Sequence, residues 1–177
     1  MKYVALLRGI NVGGNNTVSM KVLKQMMEEN GFTCVKTYIN SGNLIFEAPK
    51  QDLLSLRTRI ETLLETTFHL SLKIVLRTDA EIAAVAAQVP ASWNTDTDIR
   101  CYVAFVREPV TVSQVTSAIV PKEGIDQLDA GPQVVYMTTK VAGLTRSGLN
   151  KIASTKVYHD VTIRNYNTLR KIQSLMK

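Results

Sequence analysis

The 177-residue sequence predicts an α+β fold in two tandem halves, each ordered β-α-β-β-α-β with one further helix. Three observations predict it. The first is an internal repeat. Tyr3–Arg8 reads YVALLR and Tyr102–Arg107 reads YVAFVR, identical at four of six positions across an offset of 99 residues. The second is a pair of weaker echoes in the same order: VLRTDAEI at 75–82 against TIRNYNTL at 162–169, and NSGNLIF at 40–46 against AGPQVVY at 130–136. The third is hydrophobic spacing, which switches between strand-like and helix-like stretches in the same succession in both halves. That succession is the ferredoxin-like plan, and the repeats make it an internal duplication.

Residues 2–8 form a near-continuous apolar run and read as a buried strand. Ser19 can cap a helix whose Val22, Leu23, Met26 and Met27 share one face, and Asn30-Gly31 supplies its left-handed end. Residues 33–39 and 43–47 are strand-rich and flank Asn40-Ser41-Gly42, a hairpin turn. A long amphipathic helix covers 50–68 through Leu53, Leu56, Ile60, Leu63 and Leu64. A strand follows at 71–77. Thr78 and Glu81 form a capping box for a helix that ends before Pro90. The second half repeats the series: strand 99–106, helix 111–120, strands 125–129 and 132–139, a helix near 146–154, a short strand 160–164 and a helix 165–176. The expected division is therefore 1–89, a linker PASWNTDTD at 90–98, and 99–177.

Hydrophobic residues make up 45% of the chain, enough for a real core in one domain or two small coupled ones. The two cysteines, Cys34 and Cys101, sit in apolar runs and read as buried, reduced thiols, which suits a cytoplasm. The apolar stretch Tyr3–Leu7 is too short for a signal-peptide core, and no apolar run reaches membrane-spanning length. A soluble, cytoplasmic protein is expected, without a membrane partner. Net charge is +6, unevenly spread: residues 1–27 carry +4, residues 28–129 carry −5 and residues 130–177 carry +7. Basic ends that meet in space would form a patch attractive to an anion.

Topology gives the glycine-rich segment RGINVGGNN, Arg8–Asn16, its interest. In a ferredoxin-like unit the end of the first strand, the start of the first helix and the turn between strands two and three share one sheet edge. The helix start points free N–H groups and the positive end of its dipole there, which suits an anion. Eight of the ten asparagines fall in or beside the candidate segments. Turn and cap chemistry explains some of them, but Asn165-Tyr166-Asn167-Thr168 exceeds the needs of a single cap. In the second half EPVTVS follows Arg107 where GINVGG follows Arg8, and TDAE follows Arg77 where NYNT follows Arg164. One composite site is therefore expected, with its loop from the first half and its polar helix start from the second.

Several chemistries are disfavoured. Gly9 and Gly14 have phosphate-loop spacing, but Asn15 and Asn16 replace the lysine and hydroxyl residue that an ATPase loop needs. There is no GxGxxG dinucleotide fingerprint and no GxSxG elbow around Ser41. His69 and His159 lack metal-ligand spacing with the cysteines, so no metal and no cofactor are expected. The candidate segments hold no carboxylate except Asp160, which reads as a turn residue. A basic series, Arg146, Lys151, Lys156, Arg164, Arg170 and Lys171, interleaves with Tyr158 and Tyr166, a pattern that suits single-stranded nucleic acid or equally a solvated helix face.

The same residues carry a family resemblance. Arg8-Gly9-Ile10-Asn11-Val12-Gly13-Gly14, Asn40-Ser41-Gly42-Asn43 and Thr162-Ile163-Arg164-Asn165-Tyr166-Asn167-Thr168 resemble the three signature blocks of domain-of-unknown-function family 1697. The usual last block has a tryptophan where Tyr166 stands, so an aromatic is kept. The resemblance implies a bacterial, cytoplasmic α+β protein and adds no reaction. The leading expectation is a protein that binds RNA, a nucleotide or another phosphate-bearing ligand. Its site would comprise Arg8, Asn11, Gly13, Gly14, Asn40, Ser41 and Asn43 from the first half, with Arg146, Lys151, Arg164, Asn165, Asn167 and Thr168 from the second. Arg8 has a structural alternative, because its repeat Arg107 persists without the loop. The other readings are an enzyme acting on a small phosphorylated metabolite, which needs a deep pocket, and a protein-interaction module, which needs an exposed apolar patch.

Overall fold

A computed structural model of the chain describes residues 1–14 and 16–177; Asn15, which belongs to the expected loop, lies outside the described residues. The fold is mixed α and β, with two four-stranded antiparallel sheets and helices. The chain divides into two compact units, Met1–Ala80 with Ile172–Lys177, and Glu81–Lys171.

In the first unit β1 (Lys2–Leu7), α1 (Met20–Glu29), β2 (Thr33–Tyr38), β3 (Asn43–Glu47), α2 (Leu53–Phe68) and β4 (Ile74–Thr78) give a sheet of order β2-β3-β1-β4. Helix α1 starts where expected, because the Ser19 hydroxyl accepts from Val22 N at 3.4 Å. It ends as Asn30 Nδ2 donates to Met26 O at 2.8 Å and Gly31 takes a φ of +83°. Helix α2 begins at Leu53 rather than residue 50, since the Asp52 carboxylate, accepting from Ser55 N at 2.7 Å, fixes the cap. Tyr3, Leu7, Leu44, Phe46 and Ile74 pack under the two helices through Leu23, Met27, Leu56 and Ile60. Val4, Leu6, Ile45 and Val75, on the opposite face of the sheet, are buried as well. Burial on both faces explains why β1 reads as an unbroken apolar run.

Helix α3 (Asp79–Ala87) follows, and then the second sheet: β5 (Ile99–Val106), α4 (Val112–Ala118), β6 (Asp126–Gly131), β7 (Val134–Lys140), β8 (Val161–Asn165) and α5 (Tyr166–Leu175). Its order is β6-β7-β5-β8. Ala104, Val106, Val135, Met137 and Val161 pack against Val115, Leu149 and Ile152. The expected linker segment is packed: Ala91–Asn94 forms a 3-10 turn, and buried Trp93 donates from Nε1 to Thr138 Oγ1 at 3.0 Å. Its ring meets Tyr136 edge-on at 5.9 Å, and the Tyr136 hydroxyl donates to Val85 O at 2.7 Å.

Three expectations are corrected. The helix near 146–154 is instead a chain of 3-10 segments, Val141–Arg146, Gly148–Ser154 and Lys156–Asp160. The Asp126 carboxylate explains the break. It accepts from Ser147 Oγ and Gly148 N, both at 2.7 Å, and from Lys122 N at 2.8 Å, which pins the chain between the first two segments. The cysteines are free but not buried: Cys34 is exposed and Cys101 half-buried. Cys34 sits at φ +52° where the register of edge strand β2 shifts between Thr33 and Lys36, so a bulge turns it outward. Asp160 is more than a turn residue, since its carboxylate pairs with Arg107 Nη1 at 3.2 Å.

The strongest sequence repeat reappears as geometry. Val4 lies opposite Arg77 and Val103 opposite Arg164. Arg8 N donates to Lys73 O at 3.3 Å, and Arg107 N to Asp160 O at 2.8 Å. The faint third echo is off by one residue: Ala5 faces Leu44 and Ala104 faces Val135, whereas the sequence pairing matches Leu44 to Val134. A slip of one residue would reverse every side chain across the sheet, so register decides the match.

Candidate functional site

The candidate residues fall in both units. In the first, the segment after β1 and the turn after β2 are in contact, as the topology required. Leu7 N donates to Gly42 O at 2.8 Å, and Asn11 Nδ2 donates to Asn40 O at 2.9 Å. Asn11 is the organiser. Its Nδ2 also donates to Val18 O at 3.0 Å, and its Oδ1 accepts from Val18 N at 2.8 Å, which ties the loop to the residues just before α1. Asn16 Nδ2 donates to Gly9 O at 2.9 Å and closes the loop on itself. Asn11 and Asn16 sit at φ +54° and +49°, values that asparagine tolerates better than most residues. Gly42 is required for a different reason: a Cβ there would lie 2.7 Å from both Ile10 Cδ1 and Leu7 Cβ.

This division of labour separates scaffold from surface. Asn43 is fully buried, and its Nδ2 donates to Tyr38 O at 2.9 Å and Ser41 Oγ at 3.2 Å. Both donor hydrogens of Asn11 go to backbone carbonyls. Gly13 and Gly14 are exposed at φ +59° and +78°, with open space where a side chain would go. Asn40 and Ser41 are exposed beside them in the chain contact just described, and Arg8 is half-buried at the base of the loop.

In the second unit, the junction of β8 with α5 brings Arg164, Asn165, Asn167 and Thr168 together. Asn165 Oδ1 accepts from Thr168 N at 2.8 Å and caps the helix. Arg164 is buried; its Nη1 donates to Thr162 Oγ1 at 2.9 Å and Ile163 O at 3.0 Å, and burial lowers its pKa to about 10. Asn165 and Asn167 line a cleft of about 520 Å³ with Trp93, Asp96, Arg100, Cys101, Tyr102 and Tyr166. Tyr166 is fixed from three sides. Its hydroxyl donates to Asn94 Oδ1 at 2.8 Å, its ring meets Trp93 edge-on at 5.4 Å, and the Arg170 guanidinium lies 5.8 Å from its centroid. Burial, followed by the nearby Asp96 charge, pushes the Cys101 thiol up.

The basic series is not one stripe. Arg146 and Lys151 belong to the 3-10 segments, where Leu149 and Ile152 cover one face of the second sheet, and they do not line the cleft. Trp93 packs on Tyr136 and Thr138, which point to the opposite face. The residues that sequence reasoning missed are Trp93, Asp96, Arg100 and Tyr102. A usable signal existed, because β5 was expected three residues longer than its repeated core at 102–106. Among the described residues, no group of three or more His, Cys, Asp or Glu could hold a metal ion. No described helix is long and apolar enough to cross a membrane.

The family described as Protein of unknown function (DUF1697) matches residues 1–136, and the chain belongs to it. Two of the three signature blocks lie within that span; the Thr162–Thr168 block lies beyond it. Among solved structures, the chain is similar to the conserved bacterial protein SP0830 from Streptococcus pneumoniae. The two share 28% identity with a TM-score of 0.87, over 99% of this chain and 98% of that one. No curated protein matches.

Proposed function

We propose that this member of the DUF1697 family binds a phosphate-bearing nucleotide ligand, free or within RNA, in the cytoplasm. Backbone N–H groups of Gly13 and Gly14 would hold the phosphate, with charge from Arg8 and polar groups from Asn40 and Ser41. In the second unit Arg164–Thr168, with Arg146 and Lys151, would offer ligand contacts of their own. The observation that carries this reading is the loop itself. Asn11 and Asn16 make hydrogen bonds of their own around the segment, and the two glycines are exposed on the stretch that leads to a ten-residue helix with no acid in its first turn. A preformed loop of exposed N–H groups at a helix start is a low-cost anion cradle. The sign of the neighbouring charge agrees: Lys73 occupies the backbone position that holds Asp160 in the second unit.

The shared strand order and register support a second element of the reading, that residues 1–89 and 99–177 descend from one duplicated ferredoxin-like half joined by 90–98. On that account the second copy lost the glycines and kept the scaffold, so the anion loop is proposed in the first half alone.

The test is an amide-resolved titration. Gly13 and Gly14 resonances should shift saturably with a 5′-nucleotide, and the affinity should fall as salt rises. Glycine resonances that stay still while residues elsewhere respond would reject the loop as the anion site. The enzyme alternative is favoured by one observation, the bounded cleft of about 520 Å³, a size typical of small-molecule sites. Turnover of a phosphorylated metabolite, lost with cleft substitutions, would establish it.

A further inference from the structure

The cleft in the second unit has a structural cause that the first unit lacks. Strand β5 pairs with β7 from Ile99 onward, but with β8 only from Tyr102 to Val106. Past Asn165 the chain turns into α5 and leaves Ile99–Cys101 as an overhang on that side. Val106 N–H donates toward β7 and Arg107 N–H toward the β8 connection. By strand alternation, the peptide groups of Ile99 and Cys101 point to the side where β8 has ended. In the first unit β1 begins at Lys2, one residue before its last pairing with β4 at Tyr3, so no comparable overhang exists.

The walls combine three chemistries. Arg100 and Tyr102 are two residues apart and so share one face of β5, about 7 Å from each other along the strand; it is the face of Met137 and Thr139 that the 3-10 segments cover, while Trp93 packs on the other face, so the cleft spans the edge of the overhang. Arg100 is exposed, and its planar guanidinium matches phosphate oxygens in pairs. Tyr102 is half-buried: it packs against the cluster of Ala104, Val106 and Met137 and also lines the cleft. Across the cleft, Asn167 presents an amide with both donor and acceptor, and Asn165 keeps its Nδ2 as a donor while its Oδ1 caps the helix. Such a set suits a planar heterocycle with a hydrogen-bonding edge, linked to an anion.

We propose that this cleft takes a single 5′-nucleotide. Its base would be read at its edge by Asn167 and Asn165, and its phosphate would be held by Arg100. This goes beyond the loop reading: it is a separate nucleotide site, with base and phosphate both held inside the second unit. A half-open cleft of about 520 Å³ is of the size that small-molecule sites have.

Trp93 is the only tryptophan in the chain and lines the cleft, so its fluorescence reports on this site alone. The full-length protein is titrated with the four ribonucleoside 5′-monophosphates, with adenosine and with inorganic phosphate, while the Gly13 and Gly14 amides are followed in parallel. The expected result is a saturable Trp93 response to at least one nucleotide, about tenfold weaker for the nucleoside and absent for phosphate at the same concentration. Arg100→Ala and Asn167→Ala alter exposed side chains, and each should raise Kd about fivefold with Tm unchanged. If the glycine amides respond and Trp93 does not, the cleft assignment is overturned and the loop reading survives. A Trp93 response without glycine shifts upholds the cleft and removes the loop. Trp93 silent to every mononucleotide but responsive to single-stranded RNA overturns the proposal in favour of strand binding. Silence of both reporters at several millimolar rejects both readings.

Discussion

Arg8 and Arg107 stand at the same place in two sheets of the same strand order, and their surroundings differ. Each donates its backbone N–H to the chain entering the outer strand, Arg8 to Lys73 O and Arg107 to Asp160 O. After Arg8 the chain opens into a glycine loop that asparagine side chains hold. After Arg107 it turns at once into α4, with Arg107 itself closed into an ion pair by Asp160. The irregular chain of the second unit lies elsewhere, in the 3-10 segments that the Asp126 carboxylate clamps. Two sheets of like strand order therefore carry an exposed, self-bonded loop in one unit and a carboxylate-fastened segment in the other.

The sharpest way to separate the two is to add one methyl group to each. A Cβ on Gly148 would collide with the Val120 carbonyl oxygen, which is backbone and cannot swing away. Gly148→Ala should therefore cost about 4 kcal/mol or more, the range reserved for severe overpacking, and denaturant unfolding of the variant would show it. A midpoint within a few tenths of a molar of the wild type would break the clamp argument. Asp126→Ala comes next. It strands three donors that now reach one carboxylate, and about 3 kcal/mol is expected from the loss of charge-assisted bonds in a half-buried position. The pH dependence has a definite sign. Burial raises the Asp126 pKa, but the hydrogen bonds from Ser147, Lys122 and Gly148 outweigh it, and the folded value is lowered. The stabilisation is thus fully present above the unfolded carboxylate pKa and fades as pH falls through the lower folded value. Asp126→Asn should flatten that acid limb; an unchanged limb would assign it to other carboxylates.

How much of this was legible in the sequence follows from where the determinants lie. YVALLR and YVAFVR marked the strands β1 and β5 because a strand buried on both faces constrains every position in a short run. Ser19, Asn30-Gly31 and Asn40-Ser41-Gly42 were readable because caps and turns depend on one or two residues next to the element they end. The 3-10 segments at 141–160 were not readable, because Asp126, some 20 residues upstream, pins Ser147 and Gly148 and so breaks the helix expected near 146–154. Cys34 misled for a similar reason: its neighbours are apolar, but a bulge in an edge strand turns it outward. The contact of the loop with its turn was anticipated from topology alone. The cleft was not, since it depends on a difference in register between β5–β7 and β5–β8 pairing that no local pattern encodes.

Intermediate effects should come from exchanging the charges that distinguish the two arginines. Asp160→Ala removes the partner of Arg107 from a pair whose side chains are 14% and 16% exposed, and about 1–2 kcal/mol is expected, between the values for surface and buried pairs. The converse exchange, Lys73→Asp, installs an acid near Arg8. Stability should move by less than about 0.5 kcal/mol because Lys73 is exposed, whereas affinity for a 5′-nucleotide should fall about tenfold if the loop edge holds the phosphate. Equal binding by the wild type and this variant would show that the difference in sign between the two units has no bearing on ligand.

The smallest structural effect belongs to Gly13, and it tests the comparison from the opposite side. Its hypothetical Cβ meets nothing within 4 Å, so Gly13→Ala is opposed only by the φ of +59°, at a cost of about 1 kcal/mol. Because Asn11 and Asn16 hold the loop from its ends, the strain can be relieved by a local change of φ at residue 13 without disturbing β1 or α1. That change would re-aim the N–H groups that make up the cradle. Gly13→Ala should thus lower nucleotide affinity by more than its stability cost alone would suggest, the reverse of Gly148→Ala, which should unfold the protein without touching the loop. A Gly13→Ala variant of unchanged Tm and unchanged affinity would mean that the exposed backbone of this loop is only the way the chain reaches α1.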